Sequence, residues 1–443
     1  MMMKPTLGTV LLSFFLCLCS SDASRGFRPR RMSAKGGHPA IPSASFQGAS
    51  VTTSATSPID AAAATKMGPK SFQAPPWAEI LKIPIPVPTQ EDFDLLPPGK
   101  RLGIMARSSV LHLTLLSCLG PLILRGAIRS ALKSPSSIPF TPGLALLWTL
   151  DVTSWHAFHN MLNDWQDLDG DDKAPDSFRS DYGCHALKQG FVTKAQFARY
   201  MTMLGLPGII LTIYFAVTKS VVAPASPWGL AALALYTILF KPLALGEVFI
   251  YLVWGPLMAG YGGMAAGVPN SNNLADLFTS PVSALFGLGA FCVIMGKHTD
   301  KINRSEKKTL PKLVGYPVAL FLCGASLLAP HVLLLATLVY ERILHPDAVP
   351  TIPLGAGLAF LTLFRELPAS LKVLRLGQIK NNQPTIPAGT IIKGTLEDVE
   401  IYKSWPLWFV AFLGWHAITF SYLVVVGSGM EWMGRAILKR VIS

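Results

Sequence analysis

The stretch Asn163-Asp164-Trp165-Gln166-Asp167-Leu168-Asp169-Gly170-Asp171-Asp172 follows directly on a long apolar segment of the chain. It holds five acidic side chains between Asp164 and Asp172. Acidic side chains are costly beside a bilayer and are seldom kept there without a function. Asn163, Asp167 and Asp171 are spaced i, i+4, i+8, so a continuing helix would present all three on one face. Such a row of oxygen ligands is suited to bind Mg²⁺, which in turn commonly binds phosphate.

The composition around this stretch indicates a polytopic membrane protein. Of the 443 residues, 51% are hydrophobic and only 14% are charged, whereas soluble proteins carry about 25% charged residues. The net charge of +13 comes from an Arg-rich N-terminus and from basic loops, which favours a membrane surface and an anionic substrate over nucleic acid. The six cysteines form no CxxC pair and no His/Cys metal spacing, so neither a disulfide framework nor a zinc site is indicated.

The N-terminus has the pattern of a targeting leader. Residues 1–23 contain an apolar run, 7–19, followed by small residues that end at Ala23, which is typical of a signal peptide. Residues 24–78 contain a single acid, Asp60, and are rich in Ser, Ala, Pro, Gly and Arg, which resembles a transit peptide. A signal followed by a transit segment, with Phe27 just after the predicted cleavage point, resembles the bipartite leader of algae with complex plastids. We therefore expect a plastid membrane; the alternative is a secretory signal with a disordered linker and an endoplasmic reticulum membrane.

Residues 79–443 are predicted to form one all-α domain of nine transmembrane helices around a central cavity. An amphipathic approach, 79–101, precedes nine apolar segments, which lie at 103–129, 143–163, 195–219, 226–241, 244–262, 279–297, 313–341, 352–371 and 405–428. The loops 164–194 and 298–312 carry charges of both signs and follow the second and sixth segments. Two even-numbered spans end on the same side, so both charged loops are expected at one face of the membrane.

The second charged loop mixes acids with strong bases. It reads Lys297-His298-Thr299-Asp300-Lys301-Ile302-Asn303-Arg304-Ser305-Glu306-Lys307-Lys308-Thr309. Carboxylates together with Lys and Arg suggest a metal-bound polyanion, because the metal neutralises some anionic oxygens and the cations neutralise others. Diphosphate is the obvious candidate, and an apolar membrane cavity beside it suits an isoprenoid chain. The residues thus predict a diphosphate head bound through Mg²⁺ and a hydrocarbon tail within the bundle.

At this point the sequence resembles a known family, the UbiA-type intramembrane prenyltransferases. Asn163-Asp164-x-x-Asp167-x-x-x-Asp171 is similar to the NDxxDxxxD motif that follows the second helix in that family. Lys297-His298-Thr299-Asp300-Lys301-Ile302 with Thr309-Leu310-Pro311, Glu247 with Trp254-Gly255-Pro256-Leu257-Met258, and Trp405-Pro406-Leu407-Trp408-Phe409-Val410 resemble further motifs. The resemblance covers residues 100 to 430 and implies Mg²⁺-dependent transfer of a prenyl group from an isoprenyl diphosphate to an aromatic or otherwise electron-rich lipophilic acceptor. Quinone, tocopherol or chlorophyll-type pathways fit such an acceptor.

The resemblance also implies roles for particular residues. The expected catalytic acids are Asp164, Asp167 and Asp300, and the expected metal ligands are Asn163, Asp164, Asp167, Asp171, Asp300 and Glu306. The expected substrate-binding residues are Asn163, Arg179, Lys188, Lys194, Lys297, Lys301 and Arg304. Two departures from the family pattern bear on this set. Arg304 and Ser305 occupy places where a further Asp is usual, so Glu306 is the candidate replacement. His185-Ala186 stand where an Arg-Pro pair is usual, so the phosphate-binding cation is Arg179, Lys188 or Lys194.

Other interpretations remain open from the sequence. The first cluster can be a solvated acidic loop at a helix end; an EF-hand fails because Trp165 would occupy its first position. The bases of the second cluster can anchor the loop on the positive-inside side, and Asp300 can pair with Arg304. Competing functions are a terpene cyclase of the same fold, which needs only the prenyl diphosphate, and a cation-binding membrane transporter. No obligate protein partner is predicted.

Overall fold

Long apolar helices account for most of the described chain. The structure, a computed structural model, describes residues 90–132, 139–166, 168, 185–268, 274–300, 302, 308–376, 378–380, 383–385, 390–392, 399–401 and 408–442. The predicted leader, 1–78, lies outside these residues. The α-helices are α1 Gln90–Leu95, α2 Pro98–Met105, α3 Ser108–Ala131, α4 Pro142–Gln166, α5 Lys194–Val217, α6 Ser226–Leu235, α7 Gly246–Leu252, α8 Tyr261–Ala265, α9 Leu274–Thr279, α10 Pro281–Thr299, α11 Leu310–Val314, α12 Tyr316–Val339, α13 Glu366–Leu376 and α14 Trp408–Ile442.

Stretches with other hydrogen-bonding patterns extend or join several of these helices. Three are π-helical, at Tyr236–Phe240, Val253–Gly260 and Tyr340–Leu344, and Leu354–Leu363 is a 3₁₀-helix. Pro256 lies inside the second π-helical stretch, and proline removes one hydrogen bond from the helical ladder. The nine apolar segments predicted from the sequence each overlap helical residues, so the helical class is confirmed.

Six helices of the described chain are long and apolar enough to cross a membrane, or seven if the bent pair Leu354–Leu363 and Glu366–Arg375 forms one span. The helix α4 is outside that set although it has 25 residues, because it carries buried polar groups such as Asp151, Thr153 and His156. The helix α6 and the adjoining stretch Tyr236–Phe240 are together too short to be counted as a membrane-crossing helix. Nine spans and a central cavity therefore remain predictions.

Contacts along α4 fix its direction relative to the segment Gly246–Ala265. The indole of Trp148 donates to the carbonyl of Met258 (3.2 Å), and the rings of His156 and Trp254 lie 5.1 Å apart. Along α4 the residue numbers rise from 148 to 156, while those of the contacted residues fall from 258 to 254. The two elements therefore run antiparallel. The end of α4 and the start of α7 consequently lie at the same end of the bundle.

The last helix, α14, packs against α3, α10 and the 3₁₀-helix. The backbones of α14 and the 3₁₀-helix touch at Gly427 and Gly355, where a Cβ on either residue would overlap the carbonyl of the other. Small residues allow such close crossing of membrane helices. α14 begins at the end of the bundle that carries the Asp300 turn, since Phe409 contacts that turn, and its later part therefore reaches the opposite end.

The segment between α13 and α14 holds the four strands of the described chain. They are β1 Gln378–Lys380, β2 Gln383–Thr385, β3 Thr390–Ile392 and β4 Val399–Ile401. β1 pairs with β2 and β3 with β4, both antiparallel. Each strand has three residues, so the two short strand pairs leave the described fold predominantly helical.

Candidate functional site

The carboxylate of Asp164 lies at the end of α4 and is almost fully buried. Its Oδ1 forms an ion pair with the guanidinium of Arg107 and lies 3.4 Å from Nδ1 of His185. The exposed fraction of the side chain is 7% for Asp164, 23% for Arg107 and 12% for His185. A buried carboxylate needs such partners to offset its lost hydration. The charge of Asp164, the first acid of the stretch 163–172, is therefore compensated by the protein.

The backbone at Arg107 adopts a left-handed conformation, with φ 54° and ψ 56°. This conformation costs a non-glycine residue roughly 1–2 kcal/mol, and it forms the turn between α2 and α3. The amide of Asn160 donates to the carbonyl of Ala106 (2.9 Å). Asn160 and Asp164 are four residues apart on one face of α4, so a single face of this helix fixes both the turn and the Arg107 side chain.

An apolar cluster supports these residues. It joins the N-terminal helices to the end of α4 and the start of α5, and its buried members are Phe93, Met105, Met161, Ala186, Leu187, Val192 and Phe197. Ala186 and Leu187 directly follow His185, so burial of that pair fixes the turn from which His185 contacts Asp164. Thr193 caps α5 through a capping box with Gln196, which sets where the turn ends and the next helix begins.

Asp300, the leading acid of the second charged cluster, contacts the first turn of α14. Its Oδ1 accepts a hydrogen bond from the backbone N–H of Phe409 and its Oδ2 one from Val410, both at 3.0 Å. A helix start leaves such N–H groups without intrahelical partners, and a carboxylate there is also favoured by the helix dipole. Asp300 therefore has a capping role that the sequence does not reveal, while its predicted metal role stays a prediction.

Glu247 lies close to the second cluster. It is fully buried in the first turn of α7. His298 donates through Nδ1 to its Oε1 (2.6 Å), and the backbone N–H of Leu310 donates to the same oxygen (3.1 Å). The acid therefore joins the end of α10 to the start of α11.

The described acids of the two charged clusters lie at one end of the bundle. Asp164 follows His156 by eight positions and Glu247 precedes Trp254 by seven, in two antiparallel elements that touch at His156 and Trp254. At 1.5 Å per residue, both acids lie about 10–12 Å beyond that contact in the same direction. Glu247 contacts His298, two residues before Asp300, so Asp300 lies at this end as well.

Some of the predicted site residues belong to the described chain. Asn163 is half-buried, Asp164 and Asp300 are placed as above, Lys297 is half-buried, and Lys188 and Lys194 are exposed. Asp167, Asp171, Arg179, Lys301, Arg304 and Glu306 lie outside the described residues. Within the described ranges, no group of three or more His, Cys, Asp and Glu side chains is arranged to hold a metal ion. The predicted metal site thus depends on acids beyond those ranges.

Arg107 is the site residue that sequence reasoning missed. It lies near the start of the predicted first apolar segment, 103–129, and no acidic neighbour in the sequence indicates a partner. His185 was seen only as a departure from a family pattern. The available signal was weak in both cases, since each contact with Asp164 forms only after distant segments pack together.

Comparison with known proteins adds no assignment at this point. No protein-family model matches the chain, and no curated protein shows significant similarity to it.

Proposed function

We propose that the chain is a UbiA-type intramembrane prenyltransferase. It transfers a prenyl group from an isoprenyl diphosphate to an aromatic or other electron-rich lipophilic acceptor, with Mg²⁺ as cofactor. The proposal places the enzyme in a plastid membrane, reached through the leader 1–78. Its substrates are the diphosphate and the acceptor, and the bilayer supplies both.

One observation carries the proposal. Asp164, in the NDxxDxxxD pattern at the end of α4, is paired with Arg107 and lies near His185. A lone acidic loop would extend its carboxylates into water, whereas this acid is buried between two basic side chains. Acids and bases interleaved at a membrane boundary suit a metal-bound polyanion, since the acids hold the metal and the bases meet the remaining phosphate charge.

The donor chemistry fits Mg²⁺. The residues proposed to hold it, Asn163, Asp164, Asp167, Asp171, Asp300 and Glu306, offer only carboxylate and amide oxygens, which are the ligands that Mg²⁺ prefers. Bound there, the ion would act as a Lewis acid on the phosphate oxygens.

The side chains supply the remaining chemistry. Arg107 would stabilise negative charge that develops on the departing diphosphate. Lys188, Lys194 and Lys297 lie in or next to the two charged loops and would bind further phosphate oxygens. The apolar helices exclude water from the reacting prenyl carbon, so that the acceptor, rather than water, captures it.

A substrate panel tests this function and separates it from the alternatives. Purified full-length protein is incubated with Mg²⁺, prenyl diphosphates of increasing length and lipophilic aromatic acceptors, and products are identified by mass spectrometry. A prenylated acceptor supports the transferase. A cyclic hydrocarbon formed from the diphosphate alone would assign a terpene cyclase instead, and cation flux in liposomes without diphosphate release would assign a transporter.

A further inference from the structure

The second charged segment has two described ends, and one buried carboxylate contacts both. His298 lies in the last turn of α10 and Leu310 begins α11. Oε1 of Glu247 accepts from the ring of His298 at 2.6 Å and from the backbone N–H of Leu310 at 3.1 Å. A fully buried carboxylate is retained only where donors compensate for its lost hydration. The Glu247 side chain therefore fixes how far apart the two helix ends lie.

We propose that Glu247 is a positioning residue for diphosphate binding, because it holds together the two ends of the segment that carries the second charged cluster. This inference rests on the proposed function. Glu247 acts through His298 and Leu310 and needs no contact with substrate. Its effect is to hold the two described ends of the segment at the end of the bundle where Asp164 lies.

The physical reason is preorganisation. Bringing two distant points of a chain together has an entropic cost. If the folded protein already holds those ends, diphosphate binding does not have to meet that cost. Asp300 adds a second attachment, since it ties the end of α10 to Phe409 and Val410 of α14. The beginning of the segment is thus fixed to α7 through His298 and to α14 through Asp300, whereas its far end at Leu310 is held by Glu247.

The fold contains a matched control for this arrangement at its opposite end. Glu341 is also buried, and it accepts from the backbone N–H groups of Thr351 (2.8 Å) and Ile352 (3.3 Å). It thereby closes the connection between the segment Tyr316–Leu344 and the 3₁₀-helix. That helix carries Gly355, whose N–H donates to Glu431 in the later part of α14, away from the Asp300 turn. The two glutamates have the same structural role, but Glu247 has it at the end of the bundle that carries Asp164 and Asp300.

The experiment compares Glu247→Gln, Glu247→Leu, Glu341→Gln and Glu341→Leu in the purified full-length chain. The probe is inorganic pyrophosphate in the presence of Mg²⁺, with its dissociation constant measured by calorimetry. Hydrogen exchange of the Leu310 amide is measured in parallel. It reports on the hydrogen bond from Leu310 to Glu247 and needs no turnover. We expect Glu247→Leu to weaken pyrophosphate binding about tenfold or more and to speed exchange at Leu310. Glu247→Gln keeps one acceptor oxygen and should lose less, whereas both Glu341 variants should bind as the wild type does.

Unchanged pyrophosphate binding in Glu247→Leu would overturn the inference, as would an equal loss in Glu341→Leu. If the wild-type protein forms product and binds pyrophosphate while Glu247→Leu does the same, the positioning role fails and the proposed function stands. If the wild-type protein neither binds pyrophosphate nor turns over any prenyl diphosphate, the proposed function fails and the positioning role fails with it.

Discussion

Arg107 forms an ion pair with Asp164 and so joins the start of α3 to the end of α4. The acid is the more buried partner, with 7% of its side chain exposed against 23% for the arginine. The Arg107 side chain therefore neutralises a buried acid and remains partly exposed. A cation in that position can meet an anionic substrate without leaving the carboxylate.

Replacement of Arg107 by Ala is expected to lower kcat/KM for the prenyl diphosphate about tenfold or more, which corresponds to ~1.4 kcal/mol of transition-state stabilisation. The reason is loss of a cation beside the departing diphosphate and of the partner that orients Asp164. Steady-state kinetics of diphosphate release measures the effect. Arg101→Ala is the control, because Arg101 bonds the carbonyl of Leu96 away from Asp164. Equal losses in both variants would contradict a specific role for Arg107.

Replacement of Arg107 by Gly separates backbone strain from charge. Glycine adopts a φ of 54° at no steric cost, whereas alanine does not. Both variants lack the ion pair, so both should lose activity to a similar extent. Thermal unfolding in detergent should show Arg107→Gly to be more stable than Arg107→Ala by up to about 1 kcal/mol. An alanine variant that is equally stable would show that the left-handed turn carries no strain.

Asp300 should affect stability through its contact with α14. Asp300→Ala leaves two backbone N–H groups without their acceptor, and we expect a loss of about 1–2 kcal/mol in the free energy of unfolding. Asp300→Asn keeps one acceptor oxygen and should lose roughly half of that stability. Its apparent affinity for Mg²⁺ should nevertheless fall as far as that of Asp300→Ala. Chemical denaturation and a Mg²⁺ titration of activity measure the two effects. Thr193→Ala is the control for an ordinary helix cap, and it should reduce stability alone. Full Mg²⁺ affinity in Asp300→Asn would leave Asp300 only its capping role.

The positions of the helices could be predicted from the sequence, because uninterrupted apolar runs specify them. The helix Lys194–Val217 matches the predicted segment 195–219 closely. The last helix continues to Ile442, well beyond the predicted end at 428. Its final turns mix charged with apolar residues and are held partly by the i, i+4 pair of Glu431 with Arg435, so average hydropathy does not reveal them.

The candidate site was predictable only in part. The acidic row stands out because acids are rare beside apolar segments. The contact of Arg107 with Asp164 spans 57 positions and depends on a backbone conformation that an arginine rarely adopts. The capping role of Asp300 likewise depends on a helix start more than a hundred residues away. Such contacts follow from tertiary packing, which local patterns do not encode.

The close crossing at Gly427 predicts that a side chain at this position would destabilise the protein. A Cβ at this position would overlap the carbonyl of Gly355, so Gly427→Ala should force α14 away from the 3₁₀-helix. We expect a loss of about 1–3 kcal/mol in unfolding free energy, as for overpacked interiors, measured by thermal unfolding in detergent. Gly434→Ala on the same helix is the control, since a Cβ there meets no atom within 4 Å. A neutral Gly427→Ala would show that the two backbones do not approach as described.

The acidic row itself is tested most directly by Asp167→Asn in the Mg²⁺-dependent assay of diphosphate release. The measurement compares wild type and variant with a prenyl diphosphate and a lipophilic aromatic acceptor, each with Mg²⁺ and with chelator. We predict that the wild-type protein releases diphosphate and forms a prenylated product only with Mg²⁺, and that Asp167→Asn abolishes both. Undiminished turnover in Asp167→Asn, or no diphosphate release by the wild type with any substrate pair, would contradict the proposal that this row binds a metal diphosphate.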